Sequence, residues 1–418
     1  MRFVEAQDEP AWLIVPLVAS LLMIAPFTVD AYLPSFGAIA TEFGVDQAAM
    51  QHTLSLYLWF FGGMMLVHGP LSDAWGRRRM VLVALLVYAV ASVGAALARD
   101  LTELIWARIG QGVAAGAGVV IGRALVRDLF SGARAQKVMS NVTLVFAMAP
   151  AIAPVIGGWL AAAFGWRSVF WFLAVFAAIL LMGVLRFMPE TVTPDRRQSM
   201  APHFILQSYA RALCHAPFVA LTLVFALLFA GMFLYIAAAP VVLLAHLHQS
   251  PTDFWKFFVP VVLGLMLGSR ISNALATRLA PRHSVWVGLM VSALGAFLNL
   301  AINLSGVLNT APGEQAVIWI VAPILLYAMG MSTAMPSLNL MGLDYLPTQR
   351  GLGSAVQGFM QMMLAGVVSG FCVAVLAQHL LWLALGMVAM WLLAALLYGW
   401  WSRHAPQLDW ASERAAHP

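Results

Sequence analysis

The chain is a succession of apolar runs of about 20 residues, parted by short polar breaks. A helix of that length rises about 30 Å, the thickness of a bilayer's hydrocarbon core. The pattern predicts twelve spans, at residues 12–37, 51–71, 79–98, 102–128, 138–163, 167–188, 216–240, 254–279, 285–305, 316–343, 354–378 and 380–401. The last two are separated by the least, Gln378 and His379 alone. The first run is too long for a signal-peptide core and lacks a small-residue cleavage site followed by soluble sequence, so it reads as a retained span.

The 22 Lys and Arg residues give this pattern a direction. With the N-terminus inside, 17 of them fall on the inner side, from Arg2 to Arg414. Only Arg99, Arg167 and Lys256 fall outside, and Arg108 and Arg270 lie within spans. This is a positive-inside signal, and it puts both termini in the cytoplasm. The longest inner loop carries Pro189, Pro194, Arg196, Arg197 and Pro202. It divides the chain into a six-helix half at 1–188, a cytoplasmic linker at 189–215, a second six-helix half at 216–401 and a cytoplasmic tail at 402–418. The expected fold class is an all-α membrane protein of twelve transmembrane helices.

Composition agrees with this and excludes other classes. Of 418 residues, 62% are hydrophobic and 9% charged, where a soluble domain has about 25% charged. The net charge of +5 comes from cations spread over the inner loops, with no basic, aromatic-interleaved surface for nucleic acid. Cys214 and Cys372 have no CxxC or Cys/His spacing, so neither a disulfide nor a metal site is expected. No Walker A loop, HExxH or GxSxG motif occurs, and the inner loops are too short for a catalytic domain. The chain is not expected to be an enzyme or to need a cofactor.

Three stretches narrow the class. GPLSDAWGRRRM, residues 69–80, is a tight inner loop whose glycines allow a sharp turn and whose Asp73 can pair with an arginine. RIGQGVAAGAG, residues 108–118, puts a charged residue in a span beside a ladder of Gly110, Gly112, Gly116 and Gly118, which permits close helix packing. APAIAPVIGGWL, residues 149–160, places Pro150, Pro154, Gly157 and Gly158 in one span and predicts a bent, closely packed helix. Each has a plainer reading as well: a positive-inside anchor, an arginine snorkelling to the outer interface, and ordinary transmembrane Gly/Pro enrichment.

Together they resemble the signatures of the major facilitator superfamily. Gly69, Leu71, Asp73, Gly76, Arg77 and Arg78 fill the loop signature G-x-L-x-D-x-x-G-R-[RK]. Arg108, Gln111 and Gly112 match the helix 4 signature, with Ala114 where a second glycine is usual. Pro154, Gly157 and Gly158 match the antiporter signature of helix 5, with Ala153 in place of its first glycine. D-x-Y-L-P at Asp30–Pro34 and RALVRDLF at 123–130 are similar to the Bcr/CflA drug-resistance subfamily. The resemblance implies the major facilitator fold, a cytoplasmic latch of ion pairs in which Asp73 contacts the second half and Arg77 pairs with Asp128, and a location in the bacterial inner membrane. It implies export of small apolar or amphipathic drugs, such as bicyclomycin-like compounds, phenicols or sulfonamides, in exchange for protons. The expected partners are the lipid bilayer, the drug and the proton, with a monomer as the working unit.

Of 17 acidic residues, only Asp30 lies well inside a predicted span, with Asp344 at the inner end of another. Intramembrane ionisable groups usually face a cavity and mark an ion or substrate path. Asp30 and Arg108 lie about 7 and about 6 residues from the outer ends of their spans, hence at equal depth. Burial opposes a charge on Asp30 and a nearby Arg108 favours it, so the pair is expected to bind and release the coupling proton. The alternative is a purely structural Asp30–Arg108 bridge. Met23, Phe27, Phe229, Met232 and Met331 suit either an adaptable apolar cavity or ordinary packing. Tyr235, Asn339 and Gln357 suit either ligand contact or helix–helix hydrogen bonds. Asp344 is expected to pair with Arg350. Two rival functions stay open: a narrow-specificity metabolite transporter, and a membrane sensor that binds without transporting.

Overall fold

The structure, a computed structural model, describes residues 11–192, 202–310 and 313–404. It contains twelve helices long and apolar enough to cross a membrane: Ile14–Phe43, Gln47–Trp75, Arg77–Leu97, Leu101–Leu129, Arg134–Phe164, Arg167–Phe187, Ala216–His246, Pro251–Ala276, Pro281–Leu304, Gly313–Asp344, Pro347–Leu376 and Leu380–His404. These are spans 1 to 12. The thin break at Gln378 and His379 is a real turn, where His379 N donates to the Leu376 carbonyl and the chain reverses into span 12. Twelve crossings return both ends to one face of the bundle, called here the termini side.

The spans are not equally enclosed. Spans 1, 4, 7 and 10 have the largest buried fraction. The others turn side chains such as Val90, Ile179, Met182 and Leu396 outward, as lipid contact demands. Small residues set the tight contacts at the centre. On span 4, a Cβ at Gly112 or Gly116 would press on span 2, at the Tyr57 carbonyl and His68 respectively. One at Gly118 would strike the Leu21 carbonyl of span 1, and one at Gly110 would press on Ala91 of span 3. The glycine ladder thus lets one helix pack closely against three.

Two features depart from the sequence pattern. Span 1 runs on to Phe43 and is broken on the way: helix Ala11–Asp30, then a 3-10 turn Leu33–Ser35, then helix Phe36–Phe43. Pro34 has no N–H to give a continuous helix and disfavours helical geometry in the residue before it. The linker is not all loop, because residues Pro202–Cys214 form a helix. Tyr209 and Ala212 of this helix pack on Phe218 and Val356, while Leu206 faces out. Tyr209 Oη also donates to the Leu66 carbonyl of span 2 at 2.7 Å. Arg2, Pro194, Arg196, Arg197 and Arg414, and the tail beyond 404, lie outside the described residues.

Candidate functional site

Arg108 sits in the middle of the first six spans and is completely buried. Its guanidinium lies between two aromatic rings, 4.6 Å from the centroid of Tyr32 and 4.6 Å from that of Tyr57. Nη1 donates to the Thr28 carbonyl at 3.0 Å and to Gln111 Oε1 at 2.7 Å, while Nε and Nη2 have no hydrogen-bond partner. Gln111 Nε2 donates to Ser92 Oγ at 2.9 Å, and Ser92 Oγ donates to the Tyr88 carbonyl at 2.8 Å. Tyr88 Oη and Thr28 Oγ1 are 2.5 Å apart, and Thr28 Oγ1 donates to the Ile24 carbonyl. Tyr32 Oη and Thr53 Oγ1 are 2.9 Å apart. The result is a buried polar network across spans 1, 2, 3 and 4 that holds one cation. Two desolvated cation–π contacts, each worth about 2 kcal/mol, offset part of a burial cost of several kcal/mol for the charge.

The charge pair expected from equal depth is not formed. The depth itself is right, because Arg108 touches residues 28 and 32 on either side of Asp30. Asp30 lies between these two contacts, where the helix Ala11–Asp30 ends, and does not bond to Arg108. Among the described residues, Asp30 makes neither an ion pair nor a side-chain hydrogen bond, and it is 5% exposed. It ends a row of partly accessible positions on span 1, Ser20, Met23 and Pro26, spaced three or four residues apart and leading from the termini side. The break after Asp30 is packed from behind: a Cβ at Gly157 of span 5 would run into the Ala31 carbonyl.

The next glycine faces the other six spans. A Cβ at Gly158 would strike the Pro251 carbonyl at the start of span 8. Pro150 and Pro154 lie inside the same helix, Gly132–Phe164. A second contact across the bundle is polar. Gln51 of span 2 is buried, donates from Nε2 to the Ala237 carbonyl of span 7 at 2.9 Å, and accepts from Ser369 Oγ of span 11 at 2.9 Å. Both contacts lie on the side away from the termini, where they hold the two sets of six spans together.

The ion pairs of the loop 69–80 form within the first half, with one addition, and the contact of Asp73 with the second half that the resemblance implied is not among them. Arg77 Nε pairs with Asp128 Oδ2, and Arg77 Nη1 pairs with Asp73 Oδ1 at 2.8 Å. Asp73 therefore bonds within its own half in this structure. Arg78 Nη2 donates to the Leu185 carbonyl at 2.6 Å, and Ser72 Oγ donates to the Gly69 carbonyl at 2.8 Å. The addition is Glu190, buried at the end of span 6. Its Oε1 accepts from the backbone N–H of Arg77 at 2.9 Å and of Val192 at 3.2 Å. Gly76, at φ 101°, lies against this carboxylate, and any Cβ there would collide with it. In the second half, Arg350 pairs with Asp344 at 2.8 Å, as expected.

The cavity candidates divide. Met23 is partly accessible on the row that leads to Asp30. Phe27 is buried and packs on Phe172 and Phe176 of span 6, with centroids 6.1 and 5.8 Å away. Met232 and Met331 are buried, and Phe229 stacks on Phe233. Tyr235 Oη accepts from Asn299 Nδ2 at 2.6 Å, and Asn339 Nδ2 donates to Gln357 Oε1 at 3.1 Å, so both are helix–helix hydrogen bonds here. Arg270 is exposed.

Known proteins share this architecture. The sequence profile described as Major Facilitator Superfamily matches residues 18–370. A "Bicyclomycin resistance protein homolog" of Haemophilus influenzae is 27% identical over 69% of this chain and 72% of its own length. A "Chloramphenicol resistance protein" of Pseudomonas aeruginosa is 28% identical over 88% and 86% of the two chains. "Multidrug resistance protein D" of Escherichia coli is 25% identical over 84% and 86%. In fold, the chain is similar to a bacterial homolog of the human lysosomal transporter Spinster, solved in an inward-facing, unoccupied conformation. That match has a TM-score of 0.69 at 14% identity over 94% of this chain and 96% of the other. With its twelve spans and bacterial relatives, this is a multi-pass protein of the bacterial inner membrane and a transporter rather than an enzyme. The chain belongs to the Major Facilitator Superfamily.

Proposed function

We propose that the chain exports small apolar or amphipathic drugs in exchange for protons, with Asp30 as the group that takes up and releases the proton. Both termini face the cytoplasm, and the halves 1–188 and 216–401 rock about the drug as units joined by the linker 189–215. The substrate class follows from the names of relatives concerned with bicyclomycin, chloramphenicol and multidrug resistance. Bicyclomycin-like compounds and phenicols are the first to test, and sulfonamides come next.

The observation that carries this reading is the placement of Asp30. A permanent structural anion in a membrane needs a cation or several N–H donors around it. Asp30 has neither among the described residues, and the nearby Arg108 is held instead by two tyrosine rings, Thr28 and Gln111. A carboxylate left unpaired at the end of an accessible row suits a proton that must come and go. Arg108 acts through its field, without a direct bond, and lowers the cost of the anion when the proton leaves. Drug and proton need not touch each other, since both bias the same two-state motion. The Arg77–Asp128 and Arg77–Asp73 pairs and the Gln51 clasp are the contacts that such a motion would remake.

The test is drug-triggered proton movement in inverted membrane vesicles, followed with a pH-sensitive dye. Several drugs should trigger movement with the wild type and none with a well-expressed Asp30→Asn variant. A response confined to one metabolite would replace the drug reading with a narrow-specificity transporter.

A further inference from the structure

A groove of about 870 Å³ opens on the membrane-facing wall between spans 3 and 4. Its floor is made by small residues, Ala91 and Gly94 of span 3 and Ala107 of span 4, where a Cβ on Gly94 would come no nearer than 3.8 Å to Ala107. Its walls are large and exposed, Leu86, Val90 and Leu97 on one side and Trp106 on the other. In water such a surface would be an aggregation hazard, whereas in a bilayer it is a slot for an acyl chain.

The mouth of the groove carries the charge. Span 3 ends at Leu97 and span 4 begins at Leu101, so Arg99 and Glu103 stand where the hydrocarbon layer gives way to headgroups. Trp106, 67% exposed and one turn deeper, is the kind of side chain that anchors at this level. Asp100 accepts from the Glu103 N–H at 2.8 Å, and Glu103 Oε2 accepts from the Arg99 N–H at 2.8 Å. This reciprocal cap fixes the backbone and leaves Glu103 Oε1 free. The Arg99 guanidinium has no ion pair or hydrogen bond among the described residues, so a cation and a carboxylate both line the mouth, each with unused capacity.

We propose that this groove is a phospholipid site for a zwitterionic headgroup with a primary ammonium, the phosphate on Arg99 and the ammonium on Glu103. A guanidinium takes a phosphate in a two-pronged contact, and a primary ammonium can donate directly to the free carboxylate oxygen. A choline headgroup has no N–H to donate, and a glycerol headgroup has no positive charge.

Native mass spectrometry of the full chain tests this, after titration with phosphatidylethanolamine, phosphatidylcholine or phosphatidylglycerol. The wild type should retain phosphatidylethanolamine about tenfold better than the other two, a difference of about 1.4 kcal/mol. Arg99→Ala should lower retention of all three, because each carries the phosphate that Arg99 would hold. Glu103→Gln, which keeps a capping side chain, should reduce phosphatidylethanolamine to the level of phosphatidylcholine. Gly94→Leu, which fills the floor, should lower retention of all three. Equal retention of the three lipids by the wild type, undiminished retention by Arg99→Ala, or an ethanolamine preference that survives Glu103→Gln would overturn the proposal. Stronger retention of phosphatidylglycerol would replace it with a simple anionic-lipid site.

Discussion

Spans 1, 3 and 4 of the first half and spans 7, 9 and 10 of the second each enclose a buried polar network. The two networks differ in charge. In the first, Gln111, Ser92, Tyr88 and Thr28 surround the cation of Arg108, and Asp30 lies nearby without bonding to it. In the second, Asn299 donates to Tyr235 at 2.6 Å, Asn303 donates to the Asn299 carbonyl at 2.8 Å, and Tyr327 donates to the Leu228 carbonyl at 3.1 Å. The partners around Asn299 are satisfied and neutral, as a helix–helix joint in a membrane should be. Arg108 leaves two nitrogens without partners. A joint can be left alone through a transport cycle, but an unsatisfied buried charge stores a reason to rearrange. Under the proposed mechanism, this difference makes the first half the chemical one and the second the supporting one.

That contrast can be broken most forcefully at Arg108. Arg108→Met removes an uncompensated charge and keeps the volume, so the thermal midpoint in detergent should hold or rise while drug transport falls to background. A large fall in the midpoint would make Arg108 a structural residue instead. Gln51→Ala comes next, because it removes two hydrogen bonds that hold the halves together on the side away from the termini. At about 1 kcal/mol each, the loss should shift the balance toward opening on that side roughly 5- to 30-fold. Labelling of Leu244→Cys, a span 7 position that packs against Gly37 of span 1 on that side, in a chain freed of Cys214 and Cys372, should speed up accordingly. Glu190→Ala should cost about 1–3 kcal/mol of stability, because two buried N–H groups lose their acceptor, and thermal unfolding reads this directly. Asn299→Ala should have the smallest effect, about 1 kcal/mol in the same measurement, and should leave proton coupling intact.

The spans were legible because length and the side on which arginines fall are properties of composition. Even the break at Gln378 and His379 could be read. The linker helix could not, since PHFILQSYARALC mixes polar and apolar residues and its order comes from packing on Phe218 and Val356. The depth of Asp30 and Arg108 was readable by counting residues, but direction was not. Glu190 was readable only in part, as an acidic residue next to Pro189 on the arginine-rich side. Its two N–H partners come from chain folding. Gln51 gave no warning, because one glutamine near the end of a span looks the same whether it meets lipid, water or another helix.

Proton release from the purified protein tests the central account most directly. Chloramphenicol would be added to the chain in weakly buffered detergent solution, with a pH dye as the readout. Wild type and Asn299→Ala should release a proton on binding, and Asp30→Asn should bind without release. Undiminished release from Asp30→Asn would contradict the account and move the proton to another group.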